Sequence, residues 1–559
     1  MKKYLSIAFA ALALAACAEK IDDTNDPALN GEIEESYIAI NLTAADPDTR
    51  ADGATYQDGL AAERTVNTAY FFFFQNGEPF SVNVSGDAVT APGVAGGVNY
   101  LQASLQNTNP ASGEKPNVSD IKEVVLLLKN YKGQYPNQII AVLNWTPGSK
   151  AYTLADLRAE TPIKDNGYFV MSNAVYADGA NQVVEATPLT ISNIFPTENE
   201  AKAKPVTIHV ERIAAKVTVT TASANGVTFD VNKSVTPVGG SETKVYAQIT
   251  GWELFNDYQS SYLLKNINPA GWGTDNVGFN WNDKNFYRSY WAISPTGEFE
   301  NNAFTWNGGF MTALNTEVAA GTYADNTYTY CGENTNRSAD DRTKVILKAK
   351  LVKKVGEAYE PLELAKWYGA DYVSEGDLLI AVANTLKNSI YYKKSDTEKV
   401  GIEPADLQCV VGGGTNAPAG VNATEVYFQL STAGEDKEWY VYDSANGFDA
   451  MGDAEINDHL KTVPAATLYN DGQTYYYFDI KHLGGESTSA EYGIVRNHIY
   501  SININSIGGY GSPVYDPTSQ IETPEYPDTP EETESFVAAE VRILSWRLVS
   551  QGVDIQPQS

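Results

Sequence analysis

The sequence has few of the residues that build most enzyme sites and disulfide frameworks. Among 559 residues there are only 3 cysteines and 4 histidines. So few cysteines exclude a disulfide scaffold. No two histidines stand at metal-ligand spacing, and no cysteine accompanies them: they are His209, His459, His482 and His498. The sequence therefore predicts no metal centre, and an enzyme is the least favoured class of function.

Motifs of catalysis and nucleotide binding are also missing. There is no Gly-x-Ser-x-Gly elbow for a nucleophilic serine. Gly412–Thr415 is rich in glycine but lacks the Lys-Ser or Lys-Thr of a phosphate-binding loop, so a turn is predicted. Asp340 and Asp341 lack the ligand order of an EF-hand, which favours a solvated acidic turn over a Ca²⁺ site. No cofactor is predicted.

Basic residues and long apolar runs are scarce as well. Lysine and arginine total 39 against 70 aspartate and glutamate residues, which gives a net charge of −31. This charge argues against nucleic acid and against an anionic membrane surface as partners. The longest apolar run, Tyr4–Leu14, is too short for a transmembrane helix. An acidic exported protein is the favoured class.

The residues that are abundant are typical of β structure. The chain has 35 Tyr, 19 Phe and 9 Trp, with 44 Gly and 25 Pro for turns. Helical periodicity is scarce, so a mainly β fold of two or three domains is predicted, with one short helix at Leu154–Ala159. The main predicted strands are Val66–Phe74, Val124–Lys129, Ile139–Trp145, Val206–Ala222, Val245–Phe255, Lys344–Val352, Leu378–Ala383, Val426–Leu430, Tyr475–Ile480 and Ile494–Ile507.

The N-terminus has the layout of a secretory signal. Lys2 and Lys3 precede an apolar run that ends at Leu14, and two alanines then precede Cys17. A cysteine at this place resembles a bacterial lipobox, which implies cleavage before Cys17 and acylation of its thiol and new amine. A plain signal peptide with a coincidental cysteine is the less favoured interpretation. Residues 18–35 are acidic and poor in apolar side chains, so a tether from the membrane is predicted.

Two cysteines remain beyond the lipobox. Cys331 and Cys409 are either joined by a disulfide in an oxidising envelope or kept as two buried free thiols. Sequence does not give the distance between them, so both alternatives stay open.

A removable strand is predicted close to the N-terminus. Tyr37–Thr43 alternates, with the apolar set Ile38, Ile40 and Leu42 on one face. A polar, aspartate-rich loop follows and contains Arg50, its single basic residue. An arginine in an exposed loop is a good protease target. Taken by itself, a simple surface arginine is the favoured interpretation, but the position of Arg50 after the first strand matters. Cleavage there would release the lipid and the first strand together and open a groove in the sheet.

The C-terminus combines a predicted tether with an apolar strand. Gly511–Ser535 is rich in proline, acidic and hydroxyl residues, and is predicted to be extended and flexible. Phe536–Ile555 alternates as a strand whose phase slips by one residue, which predicts a bulge or a change of sheet. The apolar set is Val537, Ala539, Val541 and Ile543 before the slip and Leu544, Trp546 and Leu548 after it. Such a strand can fill a neighbour's groove, or fold back on its own chain.

The order of these features resembles the fimbrillins of Bacteroidetes type V pili, and most closely the stalk subunits of their short fimbriae. The similarity extends over the whole chain. Its most specific part is the block Arg496-Asn497-His498 with Tyr500, which is equally compatible with a final core strand whose polar groups are satisfied locally. The motifs that carry the resemblance are Cys17, Tyr37–Thr43, Arg50, Val210–Val219, Glu333–Asn336, Tyr492–Gly511 and Val541–Trp546.

The resemblance implies a mainly β fold of two tandem transthyretin-like β-sandwich domains with a C-terminal donor-strand extension. It implies export as an outer-membrane lipoprotein and cleavage by an Arg-specific surface protease, which maps here to Arg50-Ala51. The donor strand of a neighbouring copy then enters the groove, and repetition builds the pilus. The implied segments are a signal peptide 1–16, a propeptide 17–50, domains 51–212 and 213–510, and a linker with donor strand 511–559.

The position of the chain within such a pilus follows from its two special segments. An anchor subunit keeps its lipid and lacks the cleavage loop, whereas a tip subunit lacks a free donor strand. This chain has both Arg50 and a donor-like tail, which favours a stalk subunit. Copies of itself and accessory anchor and tip subunits are the expected partners, in an extracellular fimbrium that supports adhesion and virulence. An accessory or tip adhesin is the second choice.

A surface-anchored glycan-binding lipoprotein is the rival function. The lipobox and the aromatic stretch from Tyr258 to Trp306 suggest it, because exposed aromatic rings stack on sugars. Aromatic residues in a β-sandwich are more often part of the core.

Overall fold

The computed structural model describes the chain in segments. They are residues 33–43, 60–81, 98–103, 124–131, 133–177, 183–221, 227–267, 292–300, 302–303, 305–308, 315–316, 328–336, 338–482, 492–518, 520–521, 536–545 and 548–551. The predicted mainly β fold is confirmed, since the described elements are several β-sheets with a few short helices. None of the helices described is long and apolar enough to cross a membrane.

We call the first part of the chain the first body. The strands of this body are β1 Ile33–Thr43, β2 Ala69–Gln75, β3 Glu78–Pro79, β4 Tyr100–Gln102, β5 Val124–Tyr131, β6 Gln138–Leu143, β7 Glu160–Pro162, β8 Lys164–Asp165, β9 Tyr168–Phe169, β10 Met171–Asn173, β11 Tyr176–Ala177, β12 Val183–Val184, β13 Thr187–Pro188 and β14 Val206–Arg212. Nine of them form one sheet in the order β3-β2-β6-β10-β14-β1-β5, with β4 on β2 and β13 on β6. The helices of this body are α1 Ala61–Arg64, α2 Leu154–Leu157, α3 Glu198–Ala203 and the 3₁₀ turn Ile191–Asn193. The predicted short helix corresponds to α2.

The apolar alternation of these strands builds two cores. β2 places Phe71 and Phe73 in one core, shared with β1, β5, β6 and β14. Its other face places Phe72 and Phe74 in a second core, which also contains Val495 from the second half of the chain. A strand buried on both faces has a continuous apolar run, as this one does.

The predicted strand Val206–Ala222 is two strands in two sheets. β14 ends at Arg212, and β15 begins at Ala215 in a different sheet. The residues between them, Ile213 and Ala214, are fully buried, so the chain passes from one sheet to the other inside the protein. From β15 onward we call the chain the second body.

The second body begins with β15 Ala215–Thr221, β16 Thr228–Val235, β17 Thr243–Phe255, β18 Ser260–Tyr262, β19 Asn315–Thr316, β20 Tyr328–Cys331, β21 Lys344–Val355 and β22 Ala358–Pro361, with a 3₁₀ turn at Ala339–Asp341. A lobe with its own hydrophobic core then interrupts it. The lobe comprises β23 Leu364–Trp367, β24 Ala370–Tyr372, α4 Glu375–Leu386, β25 Ile390–Ser395, β26 Glu398–Gly401, β27 Leu407–Val411, β28 Glu425–Leu430, α5 Thr432–Glu435, β29 Trp439–Asp443, β30 Gly447–Met451, α6 Asp453–Leu460 and β31 Ala466–Tyr469, with 3₁₀ turns at Pro404–Asp406 and Asn470–Gly472.

After the lobe the chain completes a β-sandwich. The elements are β32 Gln473–Asp479, β33 His498–Gly508, β34 Ser512–Pro513, β35 Phe536–Ser545 and β36 Leu548–Gln551. One sheet has the order β19-β15-β33-β35-β36, with β20 on β15, and the other has the order β16-β17-β21-β32-β34, with β22 on β21. Alternate residues of both sheets fill the space between them, among them Val217, Tyr500, Trp252 and Leu347. This is face-to-face packing of two sheets.

The predicted strand Leu378–Ala383 is wrong, because these residues lie in helix α4. Ser374 caps the helix: its hydroxyl accepts the Asp377 N–H at 3.2 Å. A short apolar run does not separate a strand from a buried helix by its period. Ser374 and the acidic residues after it were the helix signal in the sequence.

A half-buried carboxyl in the sandwich makes stability depend on pH. Burial raises the pKa of Glu253 in β17 to about 7, although its carboxylate accepts the Leu254 N–H at 2.9 Å. Because the folded pKa exceeds the unfolded one, its contribution is complete below about pH 4.5 and is lost as pH rises through 7. The quantity compared is the free energy of unfolding of Glu253→Gln minus that of the parent. We expect this difference to be about 1–3 kcal/mol higher at pH 8.5 than at pH 5. Urea unfolding at both pH values measures this; an equal shift from Glu357→Gln, whose side chain is 99% exposed, would contradict it.

Candidate functional site

Strand β1 occupies an interior place in the sheet of the first body. Ile33–Ile40 pairs antiparallel with β5, and Ile40–Thr43 pairs parallel with the start of β14. Removal of β1 would therefore leave the backbone N–H and C=O groups of two strands unpaired. A groove with two hydrogen-bonding walls would result.

The inward side chains of β1 belong to the core of the first body. Ile38, Ile40 and Leu42 are 0%, 0% and 2% exposed. Full burial of three such side chains contributes at most about 5–9 kcal/mol. The burial predicted for this face is present, and its role as a displaced strand stays a prediction.

The other contacts of β1 come from residues that sequence alone does not associate with it. Tyr37 and Phe195 exchange both backbone hydrogen bonds, at 2.7 and 3.0 Å. Helix α3 packs against β1, and Ala39 on the outward face is only 1% exposed. Glu35 pairs with Lys129 of β5 at 2.8 Å, in a position open to solvent. No local pattern identifies Phe195 or Lys129, because both are distant in the chain.

Shortening an inward side chain of β1 should weaken the unprocessed protein. Ile40→Ala removes buried methyl groups and leaves a cavity, so we expect the free energy of unfolding to fall by about 2–5 kcal/mol. Asn41→Ala, on the partly exposed face, should cost less than about 1 kcal/mol. Urea titration of both variants measures the difference. Equal stability of the two would show that β1 is not part of the core in solution.

The lipidation and cleavage residues cannot be placed. Cys17, Arg50 and Ala51 lie outside the described residues. The chain resumes at Leu60, whose N–H donates to the Glu63 carboxylate of α1 at 2.9 Å.

Glu63 joins the first body to the second. Its carboxylate pairs with Lys216 of β15 at 2.7 Å, with both side chains fully buried. Tyr330 donates its hydroxyl hydrogen to the same oxygen at 2.5 Å, and Arg212 donates to the Glu63 carbonyl. Burial lowers the pKa of Lys216, and the neighbouring Glu63 carboxylate opposes that effect. Glu63 follows the predicted cleavage loop in the chain, and these contacts hold it without the participation of β1.

The block that begins at Arg496 forms a second buried polar cluster. The Arg496 guanidinium donates to the Glu333 carboxylate at 2.6 Å, with both side chains fully buried. It also donates to the carbonyls of Tyr262 at 2.6 Å and Leu263 at 3.3 Å. Arg496 and Asn497 lie in a turn just before β33, which begins at His498, so only the second part of the block is a core strand. The buried Arg496 Nε atom has no hydrogen-bond partner among the described residues.

The structure describes some of the other candidate residues and leaves others outside its described part. Among the described residues no group of three or more His, Cys, Asp or Glu side chains could hold a metal ion. Cys331 and Cys409 are buried free thiols, and burial raises the pKa of both. Of the aromatic stretch suggested for glycan binding, Tyr258 and Trp306 are each 4% exposed, and residues 268–291 lie outside the described part.

The terminal strand folds back on its own chain as a β-hairpin. β35 pairs antiparallel with β33, from His498↔Ser545 to Gly508↔Phe536. β36 pairs antiparallel with β35 and forms the edge of the sheet. The phase slip in the sequence therefore marks the approach to a hairpin turn, rather than a bulge or a change of sheet. Trp546 lies outside the described residues.

The predicted tether is shorter than its composition suggests. Residues 511–521 are fixed to the second body: β34 pairs with β32, and Val514 and Ile521 are 7% and 3% exposed. Gly511 has a φ of 75°, and a Cβ there would lie 2.4 Å from the Thr474 hydroxyl oxygen. The 14 residues 522–535 lie outside the described residues, and a fully extended chain of that length spans at most about 50 Å.

The C-terminal part of the chain matches the model of a known protein family. Residues 467–552 match the family model for major fimbrial subunit protein type IV, fimbrillin, C-terminal. The match spans β32 to β36 and supports a structural pilin or adhesion role in an extracellular fimbria. No curated protein matches the chain.

Several solved structures of fimbrial proteins align with most of the chain at low similarity. A fimbrilin from Porphyromonas gingivalis W83 has 11% identity, covers 92% of this chain and 98% of its own, and gives a TM-score of 0.32. A C-terminally truncated tip fimbrial protein from Porphyromonas gingivalis has 11% identity, with 92% and 100% covered and a TM-score of 0.30. A fimbrial assembly protein from Parabacteroides distasonis has 11% identity, with 73% and 100% covered and a TM-score of 0.26.

Proposed function

We propose that the chain is the stalk pilin of a cell-surface fimbria, polymerised by exchange of one β-strand between copies. The observation that supports this most directly is the interior place of β1, which precedes the loop with Arg50 and has a hydrogen-bonded neighbour on each side. A strand so placed can leave as a unit once the loop is cut. The fimbrillin match over residues 467–552 supports the same function.

The proposed sequence of events begins at the membrane. The chain is exported as a lipoprotein with its lipid on Cys17 and is held at the outer membrane. An Arg-specific surface protease then cuts between Arg50 and Ala51. β1 leaves with the propeptide 17–50, and the groove between β5 and β14 opens. The C-terminal strand of a neighbouring copy enters it.

The hairpin seen on β33 is the resting place of that strand. While β35 covers β33, the apolar tail is paired within its own chain, with β36 as the edge strand of the sheet. For polymerisation β35 has to leave β33, and the linker after Ile521 has to reach the next subunit. The proposal divides the mature chain into domains 51–212 and 213–510 followed by this linker and strand. Anchor and tip subunits would complete the fimbria.

The N-terminal residue of the protein recovered from the cell surface tests this function. Mass spectrometry should find Ala51 in the polymer and acylated Cys17 in the precursor. Arg50→Ala should leave the precursor uncut and abolish polymers, whereas Arg64→Ala, beyond the loop, should not. Polymers composed of chains that still begin at Cys17 would contradict the proposal and favour a surface-anchored lipoprotein.

A further inference from the structure

The start of the C-terminal strand repeats the sequence of β1 in the same direction. Residues 35–42 are ESYIAINL, and residues 534–541 are ESFVAAEV. The glutamate, the serine and the first alanine are identical, and one aromatic and two aliphatic residues are replaced by others of their kind. Two strands that occupy the same groove one after the other need similar side chains at matching positions. Two unrelated strands of one fold do not.

The identical small residues fall where β1 has no room for large ones. Ser36 lies on the same face of β1 as Ile38 and is 5% exposed. Ala39 lies on the outward face, against which α3 packs along β1, and is 1% exposed. When residues 534–541 are aligned with residues 35–42, Ser535 takes the place of Ser36 and Ala538 takes the place of Ala39. A larger side chain at a closed position would cost packing energy. Only a register that places small residues at these two positions therefore fits.

The polar and aromatic contacts of β1 are matched in the same register. Phe536 takes the place of Tyr37, whose backbone exchanges two hydrogen bonds with Phe195. Glu534 takes the place of Glu35, which pairs with Lys129 at 2.8 Å. The direction of β1 is also kept, and with it the antiparallel pairing along β5, which is somewhat stronger than parallel pairing.

We propose that the C-terminal strand of one copy enters the groove of the next in the direction of β1, with Glu534–Val541 at the places of Glu35–Leu42. The inference rests on the proposed strand exchange and specifies its direction and register. Val537, Ala539 and Val541 then face the core. Ala539 is smaller than the Ile40 it replaces and leaves part of that space unfilled.

Two adjacent alanines give a matched pair of variants. Ala538→Ile places a large side chain at the closed position of Ala39, and the yield of polymer should fall by about tenfold or more. Ala539→Ile restores the isoleucine of position 40, so polymers should form at least as well and dissociate several-fold more slowly in denaturant. Both residues belong to β35, so each variant alters the resting hairpin as well. Equal losses in the two variants, or the reverse order, would overturn the register.

Disulfide trapping tests the direction in the full-length chain. Ala39 is the Cα partner of Val125, so a chain carrying V125C and a chain carrying A538C should form a covalent dimer after processing. A strand turned around at Ala539 would instead place Glu540 opposite Val125, and V125C with E540C would form the dimer. That result, or polymers that neither pair links, would overturn the inference while the exchange itself stands. If the processed parent chain forms no polymer, the proposed function fails and the inference with it.

Discussion

A processed chain that ends at Ser535 is expected to remain a soluble, folded monomer. The deletion removes the hairpin β35–β36, which pairs with β33 at the edge of its sheet, together with the residues after it. β33 keeps its parallel partner β15, and the buried core residues described between Ala215 and Tyr510 all remain in the chain. The fold should persist, whereas the strand that enters the neighbour is gone. Size-exclusion chromatography and electron microscopy after Arg-specific cleavage measure the loss of polymer, which should be complete.

A chain that ends at Ser545 is the matched control for that truncation. It keeps β35 and lacks residues 546–559, so it retains every residue from 534 to 541 that the groove is expected to bind. We expect it to polymerise. Normal fibres from the chain that ends at Ser535 would remove the basis for donor-strand exchange. Loss of polymer in both truncations would move the donor segment toward β36.

Loss of the Arg496 side chain is expected to be among the most destabilising single changes in the second body. In Arg496→Ala the Glu333 carboxylate stays buried without its guanidinium, and the carbonyls of Tyr262 and Leu263 lose a donor. Breaking a buried ion pair by removal of one partner costs about 3–5 kcal/mol. Guanidinium chloride unfolding at neutral pH measures this change in the free energy of unfolding.

Two further variants separate the charge effect from general damage. Arg496→Met combined with Glu333→Leu removes both charges, so it should be less destabilising than Arg496→Ala alone. Lys129→Ala breaks the exposed pair with Glu35 and should cost less than about 1 kcal/mol, since that lysine and glutamate are 41% and 52% exposed. A double variant that is less stable than Arg496→Ala would show that the carbonyl contacts, rather than the charge, dominate.

Several features followed from local sequence alone. The period-2 alternation of Ile38, Ile40 and Leu42 was sufficient to predict a strand with that face in the core. The apolar runs within Val66–Phe74 and Ile139–Trp145 predicted strands, and β2 and β6 lie there. Each of these inferences depends on neighbours within a few residues, which the sequence contains in full.

Composition was misleading where tertiary contacts compensate for it. Gly511–Ser535 contains few apolar residues, and a flexible tether was predicted. Val514 and Ile521 nevertheless find a place beside Trp306 and Tyr477, and hydrogen bonds such as Asn470 to the Tyr515 carbonyl fix the backbone. Whether a sparse apolar residue is buried depends on the surface that the rest of the chain provides.

The sequence by itself determined the strand-rich character of this protein, the inward face of β1 and the amphipathic start of the terminal strand. The tertiary structure alone decided that β1 lies between β5 and β14, that the terminal strand turns back as a hairpin on β33, and that Glu63 is joined to Lys216. These pairings connect residues far apart in the chain: Ile40 meets Val206, and Glu63 meets Lys216. Alternation sets which face of a strand is apolar, but backbone hydrogen bonding is the same for every residue type and does not select the partner strand. The partner is selected by the shape and burial of the whole core, and that exists only once the chain has folded.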